Sequence, residues 1–338
     1  GLIYIGTDDG LIQVTENDGK DWRKIEKFPF VPNKTYVNDI KASQHENNVV
    51  YAAFNNHKNG DFQPYLLKSK NKGKTWSDIS GNLPKRGSIY SLAEDHVNPL
   101  LLFVGTEFGI YFTTDGGEKW EKLGSGLPTI AVRDIEIQKR ENDLVIATFG
   151  RGFYILDDYS PIREFSSENF ENDAYAFNTK SGLMYNEASP IGYRPPGFLG
   201  AGYFMADNPD LGVKLTYFIK KSVKTLKSKR QEKEKGSTNI SYPTKKQIRN
   251  EKNEIKPYLI IAISDSNGKP IRRITKPYSK GIHRINWDGK VNRKDNPSRG
   301  AYFANAGDYY YQIIGYEEGS FDTLLTSKKF SLNHLNNL

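Results

Sequence analysis

One eight-residue phrase occurs three times in the first 120 residues, and three of the four tryptophans end it. It reads TENDGKDW at 15–22, SKNKGKTW at 69–76 and TTDGGEKW at 113–120. The shared pattern is Ser/Thr-x-Asp/Asn-x-Gly-x-x-Trp, with tryptophans 54 and 44 residues apart. Self-similarity at such a period means that the chain stacks copies of one supersecondary unit.

Each phrase lies between two short β runs and reads as a hairpin turn. The Ser/Thr and Asp/Asn side chains (Thr15 and Asn17, Ser69 and Asn71, Thr113 and Asp115) can bond nearby backbone groups and fix the turn. Gly19, Gly73 and Gly117 permit positive φ. Trp22, Trp76 and Trp120 are each expected to be buried, one large apolar anchor per unit.

A second constant feature precedes each later turn. VNDIKAS, IYSLAED and VRDIEIQ are inner strands, and ten residues on from Ile40, Leu92 and Ile135 come the apolar strands VVYAAF, LLFVGT and LVIATF. Four antiparallel strands per unit make a propeller blade. A fourth unit starts at Val132 but reads ILDDYSP where its turn should be, so the propeller is expected to end near Tyr159. The opening GLIYIGTDDG matches a second strand, LLFVGTEFG, without an inner strand before it. The expectation is an incomplete ring, completed by missing N-terminal blades of the same protein, because three and a half blades fall short of the usual four to eight.

The turn phrase resembles the Asp-box of BNR-repeat propellers, a group that includes sialidases, sortilin-type receptors and two-propeller xyloglucanases. The likeness covers about residues 1–160. Further on, VIATFGRGFYILDDYSPIRE, GIHRINWDG and GAYFANAGDYYYQI resemble the junction and the Ig-like domain of large secreted bacterial BNR-repeat proteins, many of them labelled glycosyl hydrolases. Phe149 stands where that group often has a His. The resemblance implies an all-β chain: Asp-box blades over 1–160, a crossing segment over 161–205, and an Ig-like β-sandwich over 206–334. It also implies an extracellular or periplasmic setting.

Composition narrows the rest. There is no cysteine, hence no disulfide and no thiolate metal site, and no apolar run long enough to span a membrane. The net charge of +8 is local: residues 220–256 hold thirteen Lys/Arg against four Glu, while the remainder carries 35 basic and 36 acidic residues. That stretch reads as two helices, the first stopping at Gly236 and the second opened by a Thr244…Gln247 capping box. In the resemblance this stretch is a helical insertion between two sandwich strands. With Tyr242 its sole aromatic, it lacks stacking platforms for bases, so no nucleic-acid partner is expected.

The Asp-box turns lie at one end of the blades and are expected to be scaffold. Loops joining second to third strands collect at the opposite end, with Asp8, Asp9, His57, Asp61, Glu107, Arg133, Asp134 and Arg151. Asp8, Asp9, Glu107 and Asp134 are the candidate carboxyls for glycoside hydrolysis, which needs two across a groove. His57, Asp61, Arg133 and Arg151 are the candidate ligand-binding residues. The five His show no metal spacing, and neither metal nor cofactor is expected. Two functions compete: a non-catalytic module binding glycan or protein, and the C-terminal half of a two-propeller glycoside hydrolase.

Overall fold

The structure, a computed structural model, describes residues 1–124, 126–186, 208–235, 242–292 and 302–335. The chain divides into two compact units, Gly1–Phe165 and Ser166–Leu338.

Unit 1 is a succession of four antiparallel sheets. Blade I holds β1 (Ile3–Gly6), β2 (Ile12–Thr15) and β3 (Arg23–Ile25). Blade II holds β4 (Tyr36–Ala42), β5 (Val50–Asn55), β6 (Tyr65–Ser69) and β7 (Ser77–Asp78). Blade III holds β8 (Ile89–Glu94), β9 (Leu102–Thr106), β10 (Gly109–Thr113) and β11 (Glu121–Lys122), and blade IV holds β12 (Val132–Gln138), β13 (Asp143–Thr148) and β14 (Phe153–Leu156). Within each blade the strands pair in sequence order, the propeller pattern.

Alternation along the strands sends side chains to two faces, and successive blades bury facing rows. Ile12 and Val14 pack with Val37, Ala52, Phe54 and Leu67 between blades I and II. Leu66, Leu92, Leu102 and Val104 fill the space between II and III. Ile110, Phe112, Ile135, Leu144 and Ile146 fill that between III and IV. Lys41 on β4 reaches Glu136 on β12 at 3.0 Å, two blades away, so the inner strands curve about a common axis.

The three turns are built alike. Thr15 Oγ1, Ser69 Oγ and Thr113 Oγ1 accept from the N–H of Gly19, Gly73 and Gly117. Asn17, Asn71 and Asp115 accept from the N–H four residues on. Gly117 has φ 110°, and a Cβ there would sit 2.8 Å from the Ile79 carbonyl oxygen, so only glycine fits.

The tryptophans do not share one environment. Trp120 is buried and donates to Ile79 O on the preceding blade at 2.9 Å, bracketed by Asn82. Trp76 is half-buried against Phe28. Trp22 is exposed, contrary to the sequence expectation, and its indole N–H turns back to its own Gly19 O.

Unit 2 has two main sheets around one apolar core. The first orders β15 (Ala174–Ala176), β17 (Val213–Ile219) and β20 (Gly281–Trp287). The second orders β16 (Gly182–Met184), β24 (Ser320–His334), β23 (Gly307–Glu317), β18 (Tyr258–Asp265) and β19 (Pro270–Pro277), with β16 parallel to β24. A small pair, β21 (Lys290–Val291) with β22 (Tyr302–Phe303), completes it. Leu215, Tyr217 and Trp287 of one sheet meet Ile261, Tyr311 and Phe330 of the other. β15 and β16 fall inside the stretch 161–205 expected to be a crossing segment, and residues 187–205 of that stretch lie outside the described residues.

Between β17 and β18 come α1 (Leu226–Lys235) and α2 (Lys245–Asn253). Thr244 caps α2 through the expected box with Gln247. Gly236, read as the stop of α1, lies outside the described residues. Arg230 of α1 holds Glu251 of α2 at 2.6 Å, and Glu254 accepts from Leu226 N at 3.0 Å.

Candidate functional site

A β-bulge recurs at one place in each inner strand. The pairing register shifts between Val37 and Asp39, between Ile89 and Ser91, and between Val132 and Asp134. The extra residues are Asn38, Tyr90 and Arg133. They occupy the same position in three successive blades, at the end where the loops joining second to third strands emerge. A bulge leaves its extra residue outside the ladder and re-aims its side chain.

The three residues are linked in a row. Asn38 Nδ2 donates to the Tyr90 carbonyl oxygen at 2.5 Å, satisfying a backbone group at the bulge. The Arg133 guanidinium lies 3.9 Å from the centre of the Tyr90 ring and 5.1 Å from that of Phe149. Stacking on two rings fixes a cation that is otherwise exposed, at the cost of little side-chain freedom. The Tyr90 hydroxyl donates to Glu107. Burial first, then the Glu107 carboxylate, pushes the Tyr90 hydroxyl up to about 12, so it remains a protonated donor at neutral pH. The Asn55 side chain reaches both Tyr90 and His57 Nδ1, the latter at 2.6 Å.

Of the residues singled out from sequence, Glu107, Arg133 and His57 are thus joined into one cluster. Asp61 sits in the neighbouring loop and acts as a brace. It accepts from Asn56 Nδ2 at 2.8 Å, Tyr65 OH at 2.6 Å and Gln63 N at 3.1 Å. Burial alone would raise its carboxyl, but these donors outweigh it and hold the group below the usual range. Asp134 accepts from the next backbone N–H, of Ile135, at 2.9 Å. The carboxylate that senses its charge is Asp39, which is raised by burial above all and by Asp134 in addition. Asp9 accepts from Thr7, and Asp8 and Arg151 are exposed. The described hydrogen bonds and ion pairs join none of Asp8, Asp9, Glu107 and Asp134 to another.

Sequence reasoning missed Asn38, Tyr90, Asn55 and the partnership of Phe149. A signal was present: VNDI, IYSL and VRDI align, and the second position of each varies within a constant frame. Exposed aromatics extend the same edge. Phe62 lies under Arg86 at 5.9 Å, the Phe62 carbonyl accepts from Gly87 N at 2.8 Å, and a Cβ on Gly87 would meet Phe108 at 3.6 Å. Loop by loop, Phe62, Phe108 and Phe149 come from blades II, III and IV, all exposed. Among the described residues, no group of three or more His, Asp or Glu is placed to hold a metal ion, and no helix is long and apolar enough to cross a membrane.

No protein-family model matches the chain. Among curated proteins, a xyloglucanase of Hypocrea jecorina (strain QM6a) is 26% identical over 138 residues, 37% of this chain and 15% of that enzyme. Solved structures that resemble it include an ancestral GH74 enzyme (13% identical, 96% of this chain and 36% of that one, TM-score 0.38). Another is YCF48 bound to D1 peptide (11%, 95% and 78%, TM-score 0.35). A third is the Cps50 (Swd1) β-propeller domain of Myceliophteria thermophila (14%, 46% and 47%, TM-score 0.34). Superposition at these scores is loose, and the blade architecture stands on the strand order and register of this chain.

Proposed function

We propose that unit 1 is a non-catalytic glycan-binding module, and that its ligand lies across the bulge residues Asn38, Tyr90 and Arg133. The observation that carries this reading is the stacked Tyr90–Arg133–Phe149 group with Glu107 and His57 beside it. Sugars present hydroxyls to charged and amide groups and apolar ring faces to aromatics. This edge offers both, on a rigid scaffold. Glu107 is engaged by Tyr90 and Asp134 by its own backbone, which supports binding over hydrolysis. The xyloglucanase likeness favours a neutral β-glucan such as xyloglucan as ligand.

The same likeness supports the second reading, in which the intact protein is a glycoside hydrolase and these blades supply part of its groove. On either reading the protein works outside the cytoplasm, and unit 2 is an Ig-like sandwich bearing α1 and α2 as an insertion.

Affinity electrophoresis through xyloglucan, mixed-linkage β-glucan and a sialoside conjugate tests the proposal. The wild type is retarded by a neutral β-glucan, and Arg133→Ala loses at least about tenfold in affinity, the scale of removing one charged polar contact. Absence of retardation by every glycan, or retardation unchanged in Arg133→Ala and Phe149→Ala, overturns it. Turnover that vanishes in Glu107→Ala or Asp134→Ala selects the hydrolase reading.

A further inference from the structure

α2 buries none of its nine residues. A helix so short is marginal in water without packing or local support. Its support here is polar: the Thr244–Gln247 capping box, the Arg230–Glu251 ion pair and the Glu254 carboxylate on Leu226 N. Lys229 of α1 in turn reaches Glu318 at 2.7 Å and Glu317 at 3.6 Å, where β23 turns into β24. The helix pair is thus tied to the second sheet of unit 2.

These ties use up the acids and leave the cations. Glu251 and Glu254 are the two acids of residues 242–256, and both are turned to α1. Lys245, Lys246, Arg249, Lys252 and Lys256 are exposed, and among the described residues none of them makes an ion pair. Apolar side chains are interleaved with them. Ile248 stands three residues from Lys245 and four from Lys252, hence on the same side of the helix, and is 48% exposed. Tyr242 just before α2 and Ile255 just after it are 96% and 63% exposed.

We infer that residues 242–256 dock on an anionic lipid surface. Charge complementarity sets the class of partner: four to eight Lys/Arg on one short helix are attracted to a layer of headgroup phosphates, each adding roughly fivefold to the partition. The apolar residues select lipid among polyanions. Isoleucine gains by entering the boundary between headgroups and acyl chains, and tyrosine settles at headgroup level. A soluble acidic polysaccharide offers an isoleucine nothing to enter, and one tyrosine is a poor platform for nucleic-acid bases. Lysine stems lie along the apolar layer while their ammonium groups stay among the phosphates.

Co-sedimentation of the full chain with vesicles tests this. The wild type binds vesicles of equal parts phosphatidylglycerol and phosphatidylcholine, does not bind phosphatidylcholine alone, and is released as salt rises. Lys245→Ser, Arg249→Ser and Lys252→Ser together lower the partition on the order of a hundredfold. Ile248→Ser with Ile255→Ser lowers it about tenfold at unchanged charge. Both variants keep the wild-type melting temperature, because these side chains are exposed. No binding to the phosphatidylglycerol vesicles, or equal binding by the triple variant, overturns the inference. So does full binding by the isoleucine variant together with competition by soluble polygalacturonate, which assigns the cations to an acidic polymer instead.

Discussion

Asp95 shows how much one side chain can hold in unit 1. It is fully buried and takes two hydrogen bonds from Arg163, at 2.8 and 2.9 Å, one from Tyr159 at 2.5 Å, and those of Val97 and Asn98 N–H. Burial by itself would raise this carboxyl, but the donors dominate and it lies below the usual carboxylate range. A depressed folded pKa contributes stability that is full above the unfolded value, about 3.9, and is lost as pH falls through the folded value. Acid unfolding of unit 1 should therefore be shifted to higher pH, and made shallower, by Asp95→Asn. The same variant should cost about 3–5 kcal/mol at pH 7, because it leaves Arg163 facing an uncompensated site. Denaturant titration at pH 7 measures the stability loss, and acid titration followed by circular dichroism measures the shift. Equal stabilities of variant and wild type at pH 7 would count against the pair as an anchor.

At the scale of the element, the three repeated hairpin turns make a controlled comparison. Their turns carry the same hydrogen bonds, yet the tryptophans end in different surroundings. Trp120 lies in the core between blades II and III, and Trp120→Ala should cost about 3–5 kcal/mol. Trp22 is exposed, and Trp22→Ala should cost about 0.5–1 kcal/mol, the range of a surface change. Chemical denaturation with a signal from the remaining indoles distinguishes the two. A large loss at Trp22 would show that the indole serves its own turn more than its neighbour. The inner strands repeat in the same way. One bulge at the same position of each inner strand leaves Asn38, Tyr90 and Arg133 outside their ladders, so the three equivalent positions form a row across three blades.

For the whole molecule, charge is concentrated in one segment. The four Glu of residues 220–256 are all engaged: Glu232 by Lys224, Glu234 and Glu251 by Arg230, and Glu254 by Leu226 N. Lys245, Arg249 and Lys252 form a stripe along α2 at helical spacing, all three exposed. Replacing these three by Ser should move elution from a cation exchanger to clearly lower salt while the melting temperature stays put. Unchanged elution would mean that the basic surface is distributed over both units. Much of this molecule was legible in its sequence. The turns, the blade count and the strand order depend on groups within a few residues of one another: a hydroxyl, an Asx side chain and a glycine of positive φ, which act locally wherever the phrase occurs. β24 was not legible, because its fifteen residues are mostly exposed and show little alternation until β23 pairs with them. The candidate site was legible only in part: Glu107, Arg133 and His57 stood out, while Asn38, Tyr90, Asn55 and the partnership of Phe149 did not. Whether a tryptophan is buried, or a tyrosine meets an arginine 43 residues on, is decided by which blade stands next to it. Packing between repeats is non-local, and only the tertiary structure sets it.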